Sequence, residues 1–119
     1  MIFSPFSFVA TAGTLTFNAI GCITGSYSSG GIDYQFHKFT SSANFIVTQG
    51  SNQYVSMLIV GGGAGADNNG ASVGIAGGGG GILYTSSFTL GTDTYSVTVG
   101  AGGAQGQNGE SSSISAASI

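Results

Sequence analysis

The chain has 119 residues, enough for one small domain with a single modest core. Charged residues make up 4% of it and apolar residues 41%, where an ordinary soluble domain is about one quarter charged, so much of the surface is expected to be covered by neighbours. Lys38 is the single cation against Asp33, Asp67, Asp93 and Glu110, which excludes nucleic acid and anionic membrane surfaces as partners, because phosphate binding needs several Lys or Arg.

The first segment, MIFSPFSFVATAGTLTF, has no positive n-region, and Ser4, Pro5 and Ser7 break its apolar residues. It is therefore a poor secretory signal, and no stretch of the chain reaches the ~18 apolar residues of a membrane span. Residues 1–30 are expected to be an N-terminal strand or a docking segment. Residues 31–119 are expected to be a glycine-rich β module, with the whole chain forming one structural unit. Cys22 stands alone, so no internal disulfide or cysteine zinc cage is available, and a small buried apolar role is expected for it.

Helical spacing is absent, and alternation at period two takes its place. Leu15 and Phe17, Tyr34 and Phe36, Phe45 and Val47, and Tyr95, Val97 and Val99 each mark a half-buried strand. The run Tyr54 to Val60 (YVSMLIV) ends without alternation and reads as a central strand covered on both faces.

Three glycine tracts separate the strands, at 61–65 (GGGAG), 77–81 (GGGGG) and 100–109 (GAGGAQGQNG). They interrupt one set of short strands instead of joining two domains, so ordered loops are expected rather than linkers. Glycine loses the most backbone entropy on ordering, and dense backbone hydrogen bonding must offset that loss. Extended left-handed chains with three residues per turn, packed side by side, meet this need. The expected fold is all-β, a small antiparallel β-sandwich of jelly-roll type with partly polyglycine-II-like loops. The middle of the pentaglycine, Gly79, is expected to leave no room for a side chain.

VSMLIVGGGAGA carries the G-x-G-x-x-A spacing of a dinucleotide-binding loop at Gly61, Gly63 and Ala66. That loop must open a helix and be followed about 20 residues later by an acid. Here DNNGASVGIAGGGGGI follows, which is no helix, and residues 84–87 carry no carboxylate. No Gly-Lys-Ser/Thr of a phosphate loop and no Gly-x-Ser-x-Gly elbow is present. One His and four scattered acids give neither a catalytic pair nor a metal spacing, so no catalysis, cofactor or metal is expected, and His37 reads as structural.

From about Gly30 onward, FHKFTSSANFIV, MLIVGGGAGA, GGGGGIL, YSVTVGAGG and GESSSI follow one another. This order resembles a glycine-rich module of bacteriophage tail-fibre, adhesin and other virion proteins. The resemblance implies a virion structural subunit, a capsid decoration, spike or fibre protein, acting in the extracellular particle through contacts with other virion proteins and with copies of itself. It also implies an alternative, a receptor-binding adhesin whose loop residues Asp67, Asn68, Asn69, Gln105, Gln107 and Asn108 touch a host surface receptor. In such modules a further glycine tract follows the serine-rich strand. The sequence ends at Ile119 instead, so the expectation is either a processed or partial piece or a neighbouring subunit that completes the sheet.

Overall fold

The computed structural model describes residues 7–12, 16–19, 22–49, 53–67 and 76–115. These contain strands and no helix, as a chain rich in Gly, Ser, Thr and β-branched residues dictates. The strands are β1 (Ser7–Ala12), β2 (Thr16–Ala19), β3 (Cys22–Ser29), β4 (Ile32–Phe39), β5 (Ala43–Gln49), β6 (Gln53–Val60), β7 (Ile82–Leu90), β8 (Asp93–Thr98) and β9 (Ser113–Ser115). They form a five-stranded sheet in the order β3-β4-β1-β6-β7 and a four-stranded sheet in the order β2-β5-β8-β9. Every pairing is antiparallel.

A two-residue hairpin loop joins β3 to β4 through Gly30 and Gly31, with φ of 60° and 77°. Such a loop needs this left-handed backbone at both positions, which is why two glycines stand there.

Both sheets feed one core. Phe39 of β4, Val55, Met57 and Ile59 of β6 and Leu90 of β7 come from the larger sheet. Phe45 and Val47 of β5, Tyr95 and Val97 of β8 and Ile114 of β9 come from the smaller. Phe45 is the hub: its ring lies 5.8 Å from Phe39, edge to face, 5.3 Å from His37 and 6.3 Å from its ladder neighbour Tyr95. Aromatic pairs at these separations add to the area they bury. The Tyr95 hydroxyl is satisfied at the β7–β8 turn, donating to the Gly91 carbonyl (3.2 Å) and accepting from the Gly91 N–H (3.1 Å).

Two expectations are corrected here. β6 is neither central nor covered on both faces, since β1 holds the middle of the sheet and β6 alternates: Val55, Met57 and Ile59 are buried, Leu58 and Val60 half-buried, and Tyr54 75% exposed. Only one face of this strand turns to the shared core, so the unbroken apolar run Met57 to Val60 serves two different environments. In β4 the buried face is His37 and Phe39, while Tyr34 and Phe36 stand on the opposite one. There Phe36 lies opposite Gly25 and fills the space a side chain would take, and Tyr34 stacks on Tyr27 at 5.1 Å. Within the N-terminal segment, β1 pairs with β4 on one side and β6 on the other, which makes it an interior strand. Residues 1–6 lie outside the described residues.

His37 is 1% exposed, the one polar side chain among the described residues of the core. Its Nδ1 lies 4.0 Å from Sγ of the half-buried Cys22. Burial pushes the His37 imidazole below its ordinary value of 6.5, and burial likewise raises the Cys22 thiol. A lowered histidine value means that the unfolded chain takes up the proton first. Stability is therefore full above 6.5 and falls as pH drops through it toward the folded value. Denaturant midpoints measured from about pH 8 to about pH 5 are expected to decline, with a smaller decline in His37→Gln; equal slopes in the two proteins would contradict this.

The alternation of β6 gives a second expectation. Met57→Asp places an unpaired carboxylate in the core and costs several kcal/mol, comparable to the stability of a small domain, whereas Leu58→Asp on the outer face costs roughly 1 kcal/mol. Urea unfolding of both variants checks the difference in size.

Candidate functional site

The glycine tracts meet at one end of the strands. The run 61–66 continues directly from β6, 77–81 leads into β7, and 99–112 joins β8 to β9. Two serines anchor the last of these: the Ser42 hydroxyl accepts the Val99 N–H (3.0 Å), and the Ser112 hydroxyl accepts the N–H of the buried Gly100 (2.9 Å).

The hydrogen bonds between the tracts recur at every third residue. Gly61 and Ala64 donate to Gly81 and Gly78, Gly62 and Gly65 donate to Glu110 and Gln107, and Gly63 and Ala66 accept from Gly103 and Gly106, all at 2.8–3.2 Å. The run Gly61 to Ala66 is thus a central strand of chain with a different neighbour on each of three sides. A chain advancing three residues per turn directs successive peptide groups to three sides in this way, whereas a β-ladder alternates between two. The 101–110 run folds back on itself with the same spacing, Gln107 donating to Ala104 and Glu110 to Ala101, each at 2.9 Å. Gly106 makes that turn with φ of 70°.

Such packing leaves no space for side chains at the contacts. A Cβ at Gly62 would overlap the Ala101 carbonyl, at Gly65 that of Ala104, at Gly77 that of Ala64 and at Gly80 that of Gly61. The same holds at Gly100 against Glu110, Gly103 against Gln107 and Gly109 against Gly62. Positive φ is not the cause, because among the described glycines it is confined to Gly30, Gly31 and Gly106. Closeness of approach is what excludes every other residue, as at the axis of collagen. Gly78, Gly79 and Gly81 face open space, so the expectation for Gly79 is overturned: only Gly77 and Gly80 turn toward the central run. A spacing signal for these contacts stands in the sequence, where Gly100, Gly103, Gly106 and Gly109 recur at every third position.

Of the residues expected to form a host-binding loop, Asp67, Gln105, Gln107 and Asn108 are exposed. The bond from the Gly106 N–H to the Ala66 carbonyl brings Asp67 beside the Gln105–Asn108 turn at the far end of the bundle. Asn68 and Asn69 lie outside the described residues. Asp33 and His37 are apart in role, the former exposed and accepting a hydrogen bond from the Ser28 hydroxyl, the latter in the core.

At the root of the bundle lies a groove of about 530 Å³ between the edge strands β7 and β9. Met57, Ile59, Ile82, Leu83 and Ile114 supply apolar lining, and Ser111 to Ser113 with Glu110 supply its polar side. Nothing in the linear sequence announces it, since it depends on where two sheets end relative to each other.

A family described as a glycine-rich domain matches residues 40–118. The chain belongs to this glycine-rich domain family. No curated protein and no solved structure matches it. The glycine-rich domain span takes in β5 to β9 and all three tracts, while β1 to β4 precede it. Those earlier strands nevertheless share its sheet and core, through β1 beside β6 and Phe39 against Phe45.

The bundle yields a contrast within one tract of the glycine-rich domain. Gly80→Ala should lower stability by about 2 kcal/mol or more, because backbone must move to admit the methyl group, whereas Gly79→Ala should stay within about 0.5 kcal/mol. Thermal unfolding of the two variants measures this, and equal effects would contradict the packing.

Proposed function

We propose that this chain is a non-enzymatic structural subunit of a virion, in which the two sheets stack as a sandwich and support a polyglycine-II-like bundle at one end. The supporting observation is the period-three hydrogen bonding of the three tracts, with backbone closing the Cβ positions between them. A surface of this kind is stiff and nearly free of side chains. It offers few groups for chemistry but presents a regular array of peptide dipoles, and it resists proteases, which must draw out an extended stretch of chain to cut it. The low charge supports the same reading, since Ile23, Tyr27, Ile32, Tyr54, Ile82, Leu83 and Tyr84 are exposed with few charges among them to keep the chain apart from neighbours. The order of the glycine-rich segments resembles that of a module in virion proteins of bacteriophages.

Exposure of Asp67, Gln105, Gln107 and Asn108 at the tip of the bundle favours a second reading, an adhesin that meets a host receptor there. The two are separated by Gln105→Ala, Gln107→Ala and Asn108→Ala together. Truncating exposed amides removes hydrogen bonds to a partner without opening a cavity. A structural subunit keeps normal particle occupancy and normal host adsorption. Loss of adsorption with full occupancy identifies the adhesin, and absence of the wild-type chain from purified particles overturns both.

A further inference from the structure

β7 is the outer strand of the five-stranded sheet, and an outer strand offers a row of main-chain donors and acceptors to whatever lies alongside. Proteins usually blunt such an edge with charge, proline, shortness or a bulge. β7 runs for 9 residues, ILYTSSFTL, with no charge and no proline. Its register against β6 shifts once, between Val55 and Met57, opposite the stretch Phe88 to Thr85. The other half, Ile82 to Thr85, is a regular ladder with an open side. There Ile82, Leu83 and Tyr84 are 70%, 60% and 64% exposed in succession, so apolar surface lies open on both faces of the same edge. The 530 Å³ groove begins at Ile82 and Leu83.

We propose that β7 pairs antiparallel with β7 of a second copy about a two-fold axis at Leu83, deepening the reading of the chain as an assembly subunit, on which the inference rests for its biological purpose. The register follows from the pleat. Ladder partners must lie on the same face, so the axis passes through a residue and not between two. Centred on Leu83, the pairing sets Leu83 against Leu83 and Ile82 against Tyr84 twice over, matching every exposed apolar side chain with another. Centred on Ile82 it would spend Leu83 and Tyr84 on Gly81 and Gly80; centred on Tyr84 it would run into the shifted half of the strand. A two-fold contact is self-complementary by construction. It leaves the Leu83 side chains at the mouths of the two grooves, next to Ile59 and Ile114. Three side chains with a short ladder fall below the ~800 Å² per partner of a stable complex, so the dimer should form in a concentration-dependent way with a dissociation constant of roughly micromolar or weaker.

Sedimentation equilibrium of the full chain, together with cysteine cross-linking, tests this. In a Cys22→Ser background, Leu83→Cys is expected to form a disulfide dimer on mild oxidation at least ten-fold faster than Tyr54→Cys, which is as exposed but far from the axis. A mixture of Ile82→Cys and Tyr84→Cys should join to each other in preference to themselves. Leu83→Asp and, independently, Tyr84→Lys should sediment as monomers with an unchanged circular dichroism spectrum. A wild-type monomer throughout, a dimer that survives both charged variants, or Leu83→Cys cross-linking no faster than Tyr54→Cys would overturn the inference. If the wild type is monomeric yet present in purified particles, the pairing falls and the assembly reading stands; a dimer of the expected register in a chain absent from particles has the opposite meaning.

Discussion

Backbone approaching backbone without a side chain between them is the constraint on which this molecule rests. At Gly62, Gly65, Gly77, Gly80, Gly100, Gly103 and Gly109 a single added carbon would overlap a neighbouring main chain. Ordering a residue costs about 1–2 kcal/mol of backbone entropy, most of all for glycine, and a hydrogen bond returns about 1 kcal/mol net. The eight main-chain bonds described around the bundle therefore do not by themselves offset the ordering of the tracts. The strands supply what tips the bundle toward order. β6 and β7 hold the first two tracts in register, so the Gly61–Gly81 bond carries on the ladder that ends at Val60 and Ile82. Ser42 and Ser112 hold the third.

The β-framework that does this holding has its own centre at Phe45. Its contacts with Phe39, His37 and Tyr95 tie β4 of one sheet to β5 and β8 of the other. Order thus passes from an aromatic core, through strand ends, into segments that have no side chains with which to make a core. The arrangement also explains why the strands before residue 40, outside the glycine-rich domain span, belong physically with it. Without β1 and β4 the larger sheet would lose three of its four strand pairings and the core its Phe39.

Legibility in the sequence varied with whether a pattern reports local or distant geometry. Period-two alternation at Phe45 and Val47 and at Tyr95 and Val97 marks core-facing residues correctly, because one face of each strand is buried and the other is not. It misleads in β4, where Tyr34 and Phe36 look like core residues but His37 and Phe39 are the buried pair; apolar aromatics on the outer face cover Gly25 and each other instead. The apolar run at Met57 to Val60 suggests burial on both faces, yet Leu58 and Val60 are only half-buried. That the glycine tracts would be ordered follows from their position between short strands. Which glycine faces which neighbour does not follow from composition, and Gly79 shows it: five identical residues in a row carry no mark of the two that turn inward. The groove at β7 and β9 is a property of two sheet edges in space and has no counterpart in the one-dimensional pattern.

The most direct test of the account is amide hydrogen exchange across the tracts, followed residue by residue by nuclear magnetic resonance. An ordered bundle predicts slow exchange at Gly61, Gly62, Ala64, Gly65, Gly103, Gly106 and Glu110, whose N–H groups donate between or within tracts. Their protection should approach that of the β6 and β8 amides and be lost with them in one transition. Exchange of these amides at the rate of an unstructured peptide, while β6 and β8 remain protected, would show that the tracts are flexible loops and would contradict the account.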